Sequence, residues 1–297
     1  MDWQEQLVSV YLLICKEYEQ KLCGYIARLS NHSDMTFSDE EVMTIYMHGI
    51  MSGHTKVRAI YNYTERHLSE WFPTLPSYVG FVQRINKISP LFEGLVDSLL
   101  SMLPVNMQEN LPELIDSMPI ILAHRGRRFN ACVAQEVATR NGYCATKKLH
   151  YYGVKLHVVG QYETGSLPLP VRLCITDAGT GDIRVLDEIE KDLPQGTRMF
   201  ADKAYQRGNQ PIAQKERITL YTPVKKEKGQ YMLDAADRLL SRAISCVRQP
   251  IESLFNWIEE KTKIQVASKV RSYEGLMLHI FGKIAVALFL LQLKFSS

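Results

Sequence analysis

Missing from this sequence of 297 residues is any pair of cysteines in CxxC spacing. Its six cysteines, Cys15, Cys23, Cys132, Cys144, Cys174 and Cys246, lie far apart, and a chain long enough to bury a sizeable core does not depend on disulfides. Reduced thiols are expected and a zinc site is not. The opening Met1-Asp2-Trp3-Gln4-Glu5 carries acid where a secretory signal carries Lys or Arg, so a cytoplasmic location is expected. No long uncharged apolar run is present either. Leu276 to Leu293 is interrupted by His279, Lys283 and Gln292, short of the roughly 20 residues a membrane span needs, and reads as a buried C-terminal helix. Repeats and low-complexity tracts are absent, and 17 Gly, 12 Pro, 46% hydrophobic and 23% charged residues exclude a disordered or collagen-like chain.

Excess charge is also missing. The 35 Lys and Arg against 32 Asp and Glu give a net +3, which neither demands nor forbids a polyanionic partner. The distribution says more, because residues 1–110 carry eight Lys and Arg against 13 Asp and Glu, leaving +8 for residues 111–297. The acidic head, 1–110, reads as an all-helical module. Apolar residues recur at helical spacing from Leu7 to Leu29, and Ser38 with Glu41 three residues on forms a capping-box signature. Another helix is expected over Lys56 to Leu68, a break at Trp71 to Ser77, and a helix over Phe81 to Leu103.

From Leu111 the pattern changes. Strands are expected over Leu114–Leu122, His150–Gln161, Leu169–Thr176, Arg198–Ala201 and Thr219–Val224, with a hairpin turn at Glu163-Thr164-Gly165. Helices are expected over Ile183–Leu193, Gln210–Arg217 and from Asp234 onward, broken near Pro250 and Ser268. Three strands in a meander followed by strands alternating with helices imply an α/β fold, a mixed sheet flanked by helices, over 111–297.

Three acids stand out in that body. Asp116 lies within the apolar Leu114-Ile115-Asp116-Ser117-Met118-Pro119, where an ionised carboxylate needs a metal, a cation or several donors; it equally fits an exposed strand end, with Pro119 marking an edge. Asp202 ends the apolar run Met199-Phe200-Ala201, which places it at the carboxyl edge of the sheet, where open α/β sheets put their sites, or makes it a strand-terminating turn residue. Glu252 flanks the helical stripe Ile251, Leu254, Phe255 and Ile258 and can lean toward the sheet or into solvent. Two Asp and one Glu on separate elements are the hard oxygen donors that Mg²⁺ prefers, and such a trio can hold two ions about 4 Å apart for phosphodiester chemistry.

Between the first two acids lies a basic stretch, His124 to His157, with Arg125, Arg127, Arg128, Arg140, Lys147, Lys148 and Lys155 against the single acid Glu136. Cations interleaved with Tyr143, Tyr151 and Tyr152 suit a polyanion backbone; a solvated basic loop is the alternative.

The segments Leu114 to Pro119, Asn141 to Lys148, Tyr152 to His157, Phe200 to Tyr205 and Arg248 to Phe255, taken in order, resemble successive motifs of bacterial insertion-sequence transposases of the DDE type. The likeness is greatest to the insertion-sequence-982 family and extends into the head through Phe37 to Val42 and Phe72 to Ser77. The resemblance implies a ribonuclease H-like catalytic domain over 111–297 in which Asp116, Asp202 and Glu252 are catalytic and bind Mg²⁺, with Mn²⁺ able to substitute. It implies double-stranded DNA as partner, both terminal inverted repeats and target, a dimer on that DNA, a bacterial nucleoid-associated location, and neither a membrane nor a small-molecule substrate. By the same resemblance, a metal-activated water is expected to cleave DNA at the element ends and the released 3′ hydroxyl to attack target DNA. Members of this type often show Tyr, then Arg three residues on, Glu four beyond and Lys seven later. Here Arg248 and Glu252 match, while Ser245 stands in the Tyr position and Glu259 in the Lys position. Lys263, projected onto the helical edge of Glu252, is the substitute candidate, and Arg248 and Lys203 join the DNA-binding set. The head is expected to read DNA ends through Lys56, Arg58, Arg66 and Arg84, or to mediate dimerisation. A catalytically inactive DNA-binding derivative, or a related nuclease without strand transfer, are the other readings.

Overall fold

The computed structural model describes residues 2–25, 36–106, 111–145, 147–206, 208 and 210–295. The chain forms two compact units: Met1–Leu103 with Ile258–Ser297, and Pro104–Trp257. Chain order separates 1–110 from 111–297, whereas compactness assigns the last forty residues to the unit of the N-terminal helices.

That unit is helical. α1 (Trp3–Gln20) starts at a capping box formed by Asp2 and Glu5 and gives way to a 3-10 turn at Leu22–Tyr25; the remainder of the helix expected up to Leu29 lies outside the described residues. α2 (Asp39–Met51) begins where Ser38 and Glu41 predict, with the Glu41 carboxylate accepting from the Ser38 N–H at 2.6 Å and the Ser38 hydroxyl accepting from the Glu41 N–H at 3.2 Å. α3 (Val57–His67) follows. The helix expected over Phe81–Leu103 is two, α4 (Tyr78–Lys87) and α5 (Ser89–Met102), because Pro90 cannot continue the ladder of the preceding turn and sits in the first turn of a new helix. Tyr273–Phe295 is helical throughout, as α9 (Tyr273–Met277), a π turn at Leu278–Gly282 and α10 (Lys283–Phe295). By length and composition it is apolar enough to cross a membrane, its most apolar window having a mean hydropathy of 2.0, yet that window is 72% buried within the protein. Ile284, Val286, Leu288 and Leu291 are all at most 3% exposed, so the segment is core.

The second unit is built on a mixed seven-stranded sheet in the order β2-β3-β1-β5-β7-β6, with β4 also paired to β3. The strands are β1 (Glu113–His124), β2 (Asn141–Cys144), β3 (Leu149–Gln161), β4 (Leu169–Asp177), β5 (Thr197–Ala201), β6 (Ile212–Gln214) and β7 (Ile218–Tyr221). β1, β3 and β4 form the antiparallel meander, while β1, β5 and β7 run parallel. Helices α6 (Asp182–Ile189), α7 (Ala235–Arg248) and α8 (Pro250–Thr262) complete the α/β arrangement, with α8 beginning in this unit and ending in the other. This curled, partly parallel sheet flanked by helices, with a helical N-terminal region, is a ribonuclease H-like architecture.

Its core follows from pattern. Val185, Leu186 and Ile189 of α6 pack on Ile115, Val159, Met199, Ala201 and Leu220 of the sheet. Two motif glycines are demanded by crowding. A Cβ on Gly153 would lie 2.1 Å from the Ile120 carbonyl oxygen, where the β1–β3 register shifts between Ile121 and Ala123, and a Cβ on Gly142 would lie 2.4 Å from the Ala178 carbonyl oxygen. β1 is paired to β5 only as far as Ile115, so Pro119 falls where the strand keeps β3 alone as neighbour. One expectation is overturned: Gln210–Arg217 is not a helix. Pro211 opens the segment, and Ile212, Ala213 and Gln214 pair antiparallel with Tyr221, Leu220 and Thr219 as an edge strand. A tertiary partner overrides the local helical pattern there.

Candidate functional site

Parallel pairing of β1 with β5 sets Ile115 beside Ala201, so the next residues, Asp116 within β1 and Asp202 just past the end of β5, follow from neighbouring positions. Glu252 comes from α8, whose Ile251, Leu254 and Phe255 are buried and anchor it to the unit. α7 ends at Arg248 and α8 starts at Pro250. Pro250 does not separate Arg248 from Glu252: the Glu252 N–H reaches the Gln249 carbonyl and the two side chains keep an i,i+4 contact across the junction.

Arg248 is the centre of the arrangement. Its Nη1 donates to Asp116 Oδ2 at 2.7 Å and its Nη2 to Glu252 Oε1 at 2.5 Å. Burial works against its charge, but Asp116, Glu252 and Asp202 outweigh that and raise its pKa above the ordinary value. Burial pushes the Asp116 carboxyl up to about 6; the Arg248 guanidinium and the Ser117 N–H, 2.8 Å from Oδ1, hold it down, while Asp202 and Glu252 push it further up. The three acids therefore share one electrostatic environment.

Among the described residues, no three His, Cys, Asp or Glu side chains are gathered closely enough to hold an ion; a guanidinium lies between two of the acids instead. The donor chemistry nevertheless fits a divalent cation: three carboxylates around a cationic centre, one desolvated enough to gain from a positive neighbour.

Behind the acids lies a buried polar chain that sequence reading passed over. His157 on β3 is fully buried, with Nδ1 3.3 Å from the Tyr205 hydroxyl and Nε2 2.8 Å from the Thr176 hydroxyl. Burial lowers the His157 pKa to about 4, so the ring is neutral, donating through one nitrogen and accepting through the other. Tyr205, 1% exposed, closes the 3-10 turn Lys203–Tyr205 that follows Asp202, and burial together with Asp182 and Asp116 raises its pKa. Both residues stood within recognised motifs; a His and a Tyr at apolar-facing positions were the available signal.

The remaining candidates separate by surroundings. Lys155 donates to Asp182 and to the Thr180 carbonyl, each at 2.8 Å, and is a structural tie. Arg140 is bound to Asp177, whose carboxylate also accepts from the Thr139 hydroxyl and from the Thr139, Arg140 and Gly179 N–H groups. Those bonds outweigh burial and lower the Asp177 pKa. Arg125 and Arg127 are exposed in the 3-10 turn Arg125–Asn130, Lys147 and Lys148 are exposed in the β2–β3 turn, and Lys203 is exposed next to Asp202. Position in the chain between two acids does not place the first of these beside them, since Arg125 lies nine residues along β1 from Asp116. Lys263 is a correction: α8 ends at Thr262 and Lys263 takes a left-handed φ of 52°, so it is not on the helical edge of Glu252. Glu259 is committed locally, its carboxylate accepting from the Gln265 N–H at 2.9 Å. In the head, Arg84 pairs with Asp39 at 2.7 Å and Arg58 lies over the Tyr78 ring.

A ribonuclease H-like sheet with Asp116 and Asp202 on adjacent parallel strands, and with Glu252 on the following helix tied through Arg248 to Asp116, fits a class of nucleic-acid-processing proteins. Residues 108–272 match the family described as transposase DDE domain, and the chain belongs to that family. It is therefore a transposase in general terms, with DNA as partner, of a family that uses divalent metal. No curated protein and no solved structure matches the chain significantly.

Proposed function

We propose that this protein is an insertion-sequence transposase, akin to the insertion-sequence-982 family, that cleaves its element's ends and joins them to target DNA in the bacterial cytoplasm. The observation that supports it is the bridging of Asp116 and Glu252 by Arg248, with Asp202 following the strand paired beside Asp116, in a chain of the DDE family. In this reading Asp116, Asp202 and Glu252 would hold Mg²⁺ or Mn²⁺, which would supply Lewis-acid activation of the attacking oxygen and stabilisation of the leaving oxygen. Arg248 then exchanges a carboxylate for a backbone phosphate; its Nε–H is buried without an acceptor, leaving one donor ready. Lys203, exposed beside Asp202, steadies the same backbone. Cleavage breaks the P–O3′ bond with water supplying hydroxide to phosphorus and a proton going to the leaving oxygen. Joining repeats the displacement with the new 3′ hydroxyl as nucleophile, so no external energy source enters. Two ends cut in concert call for a dimer on DNA, with residues 1–110 as the module for end recognition or dimerisation and 111–297 as the catalytic domain.

The test is incubation of the purified protein with DNA bearing its own element ends and Mg²⁺ or Mn²⁺. Nicked and joined products that vanish with Asp202→Ala are expected. Cutting without joining reassigns the protein as a nuclease, and no reaction that distinguishes it from Asp202→Ala overturns the proposal.

A further inference from the structure

We propose that the end of the sheet remote from the acids is a second nucleic-acid contact, which stacks an unpaired base on Phe129 while neighbouring arginines hold its phosphates. The inference rests on the transposase reading for its ligand class. Tyr151 of β3 is flanked by His124 of β1 and Gly142 of β2. One step beyond that row, Arg125 opens the 3-10 turn and Tyr143 faces His150, their rings 4.7 Å apart. Phe129 in the turn is 70% exposed and Tyr143 53% exposed. The Arg128 guanidinium lies over the Phe129 ring, 4.2 Å from its centroid, and the side chain stays largely exposed.

Cations alone would serve a duplex backbone. A large aromatic ring held out in a polar turn serves a flat π surface, and a base becomes one only when it leaves its stack. The charge is complementary: Arg125, Arg127 and Arg128 share the turn with Phe129, and the sequence carries no Asp or Glu from His124 to Gln135. Arg125, just past the end of β1, is nine residues from Asp116, up to about 30 Å at strand spacing, or about nine base pairs of duplex at the rise per base pair. The contact therefore grips DNA well away from the bond being broken.

The experiment uses the full chain in EDTA at fixed salt with two labelled 30-mers, one fully paired and one carrying a three-base unpaired bubble with 2-aminopurine. The unmodified protein should bind the bubble about tenfold more tightly and quench its 2-aminopurine, as one stacked base allows. Phe129→Leu should abolish preference and quenching while duplex affinity stays within about twofold, and Phe129→Tyr should retain both. The exposed site makes misfolding of these variants a matter for a circular dichroism check only. Equal binding of both probes by the unmodified protein, or equal losses on both with Phe129→Leu, overturns the stacking contact. So does a change in sedimentation of the DNA-free protein with Phe129→Leu, which assigns the face to a second copy of the chain. Failure to bind either probe counts against the transposase reading itself; cutting of element ends without bubble preference sinks only this contact.

Discussion

Arg248 and Asp116, 132 residues apart in sequence, are joined by a 2.7 Å charge-assisted hydrogen bond in the unit that also carries Asp202 and Glu252. The guanidinium thus supplies positive charge between Asp116 and Glu252, two carboxylates that repel one another. Arg248→Ala should cost the metal-free protein about 3 kcal/mol, the scale for removing one partner of a buried pair. A divalent cation should restore much of that loss, since it binds the folded acids and not the unfolded chain. Urea unfolding of the variant in EDTA and in excess Mn²⁺ checks this. An identical loss in both conditions would show that the arginine and the ion do not share a site.

Tyr205 ties the Asp202 turn to the sheet through His157. Tyr205→Phe removes one hydroxyl without changing shape and leaves the buried His157 Nδ1 without its partner, which should cost about 1–3 kcal/mol. His157→Phe breaks the same chain, so the double variant should cost clearly less than the two singles together. A double-mutant cycle by chemical denaturation measures the coupling. Additive losses would mean that the 3.3 Å contact contributes nothing.

How much of this was legible beforehand follows from the kind of information each residue carries. Asp116 and Asp202 were visible because a carboxylate in or at the end of an apolar strand conflicts with local preference, and such conflicts mark function. Glu252 was visible through its helical stripe, but the Arg248 bridge was not, because the turn at Pro250 hides whether i,i+4 geometry survives. β2 and β6 are three or four residues long and take their structure from a partner strand. Lys263 was misassigned because an angular projection presumes that the helix continues, and α8 stops one residue earlier. The packing of α9 and α10 with the N-terminal helices was invisible for another reason: an all-round apolar helix signals burial without stating against what.

Acid should weaken the fold through two histidines. Burial holds His157 at about 4 and His279 at about 3, whereas both titrate near 6.5 when unfolded. From pH 6.5 downward the unfolded chain takes up protons that the folded chain refuses, so stability falls as pH falls, by about 1.4 kcal/mol per pH unit for each ring. Asp116 opposes this: with its folded pKa raised to about 6, the folded state takes up a proton between that value and the unfolded value of roughly 3.9, and gains stability as pH falls through that window. The histidine contribution is isolated by comparing His279→Gln with the unmodified protein at pH 8 and pH 5. The variant should lose about 2 kcal/mol less over that range. Parallel pH slopes would show that His279 is not held neutral.

Glu259, at the position where the resemblance led to an expectation of Lys, is fixed here by its own surroundings. Its carboxylate caps the end of α8 by accepting from the Gln265 N–H at 2.9 Å, and it draws up the pKa of Lys283. Lys283 is 1% exposed, with Nζ donating to the Lys263 carbonyl at 3.0 Å, and burial lowers its pKa to about 8. Restoring lysine by Glu259→Lys removes the acceptor and adds a second ammonium near a buried one. It should destabilise the fold by about 2 kcal/mol or more, rather than improve the protein by matching its family. Glu259→Gln keeps an acceptor and loses only the charge, so it should fall between the two. Replacing Lys283 by Met in the Glu259→Lys background should recover the part that comes from like-charge repulsion. Thermal unfolding of the four proteins at pH 7 decides it, and an unchanged or raised melting temperature for Glu259→Lys would show that Glu259 is not held in place by the fold.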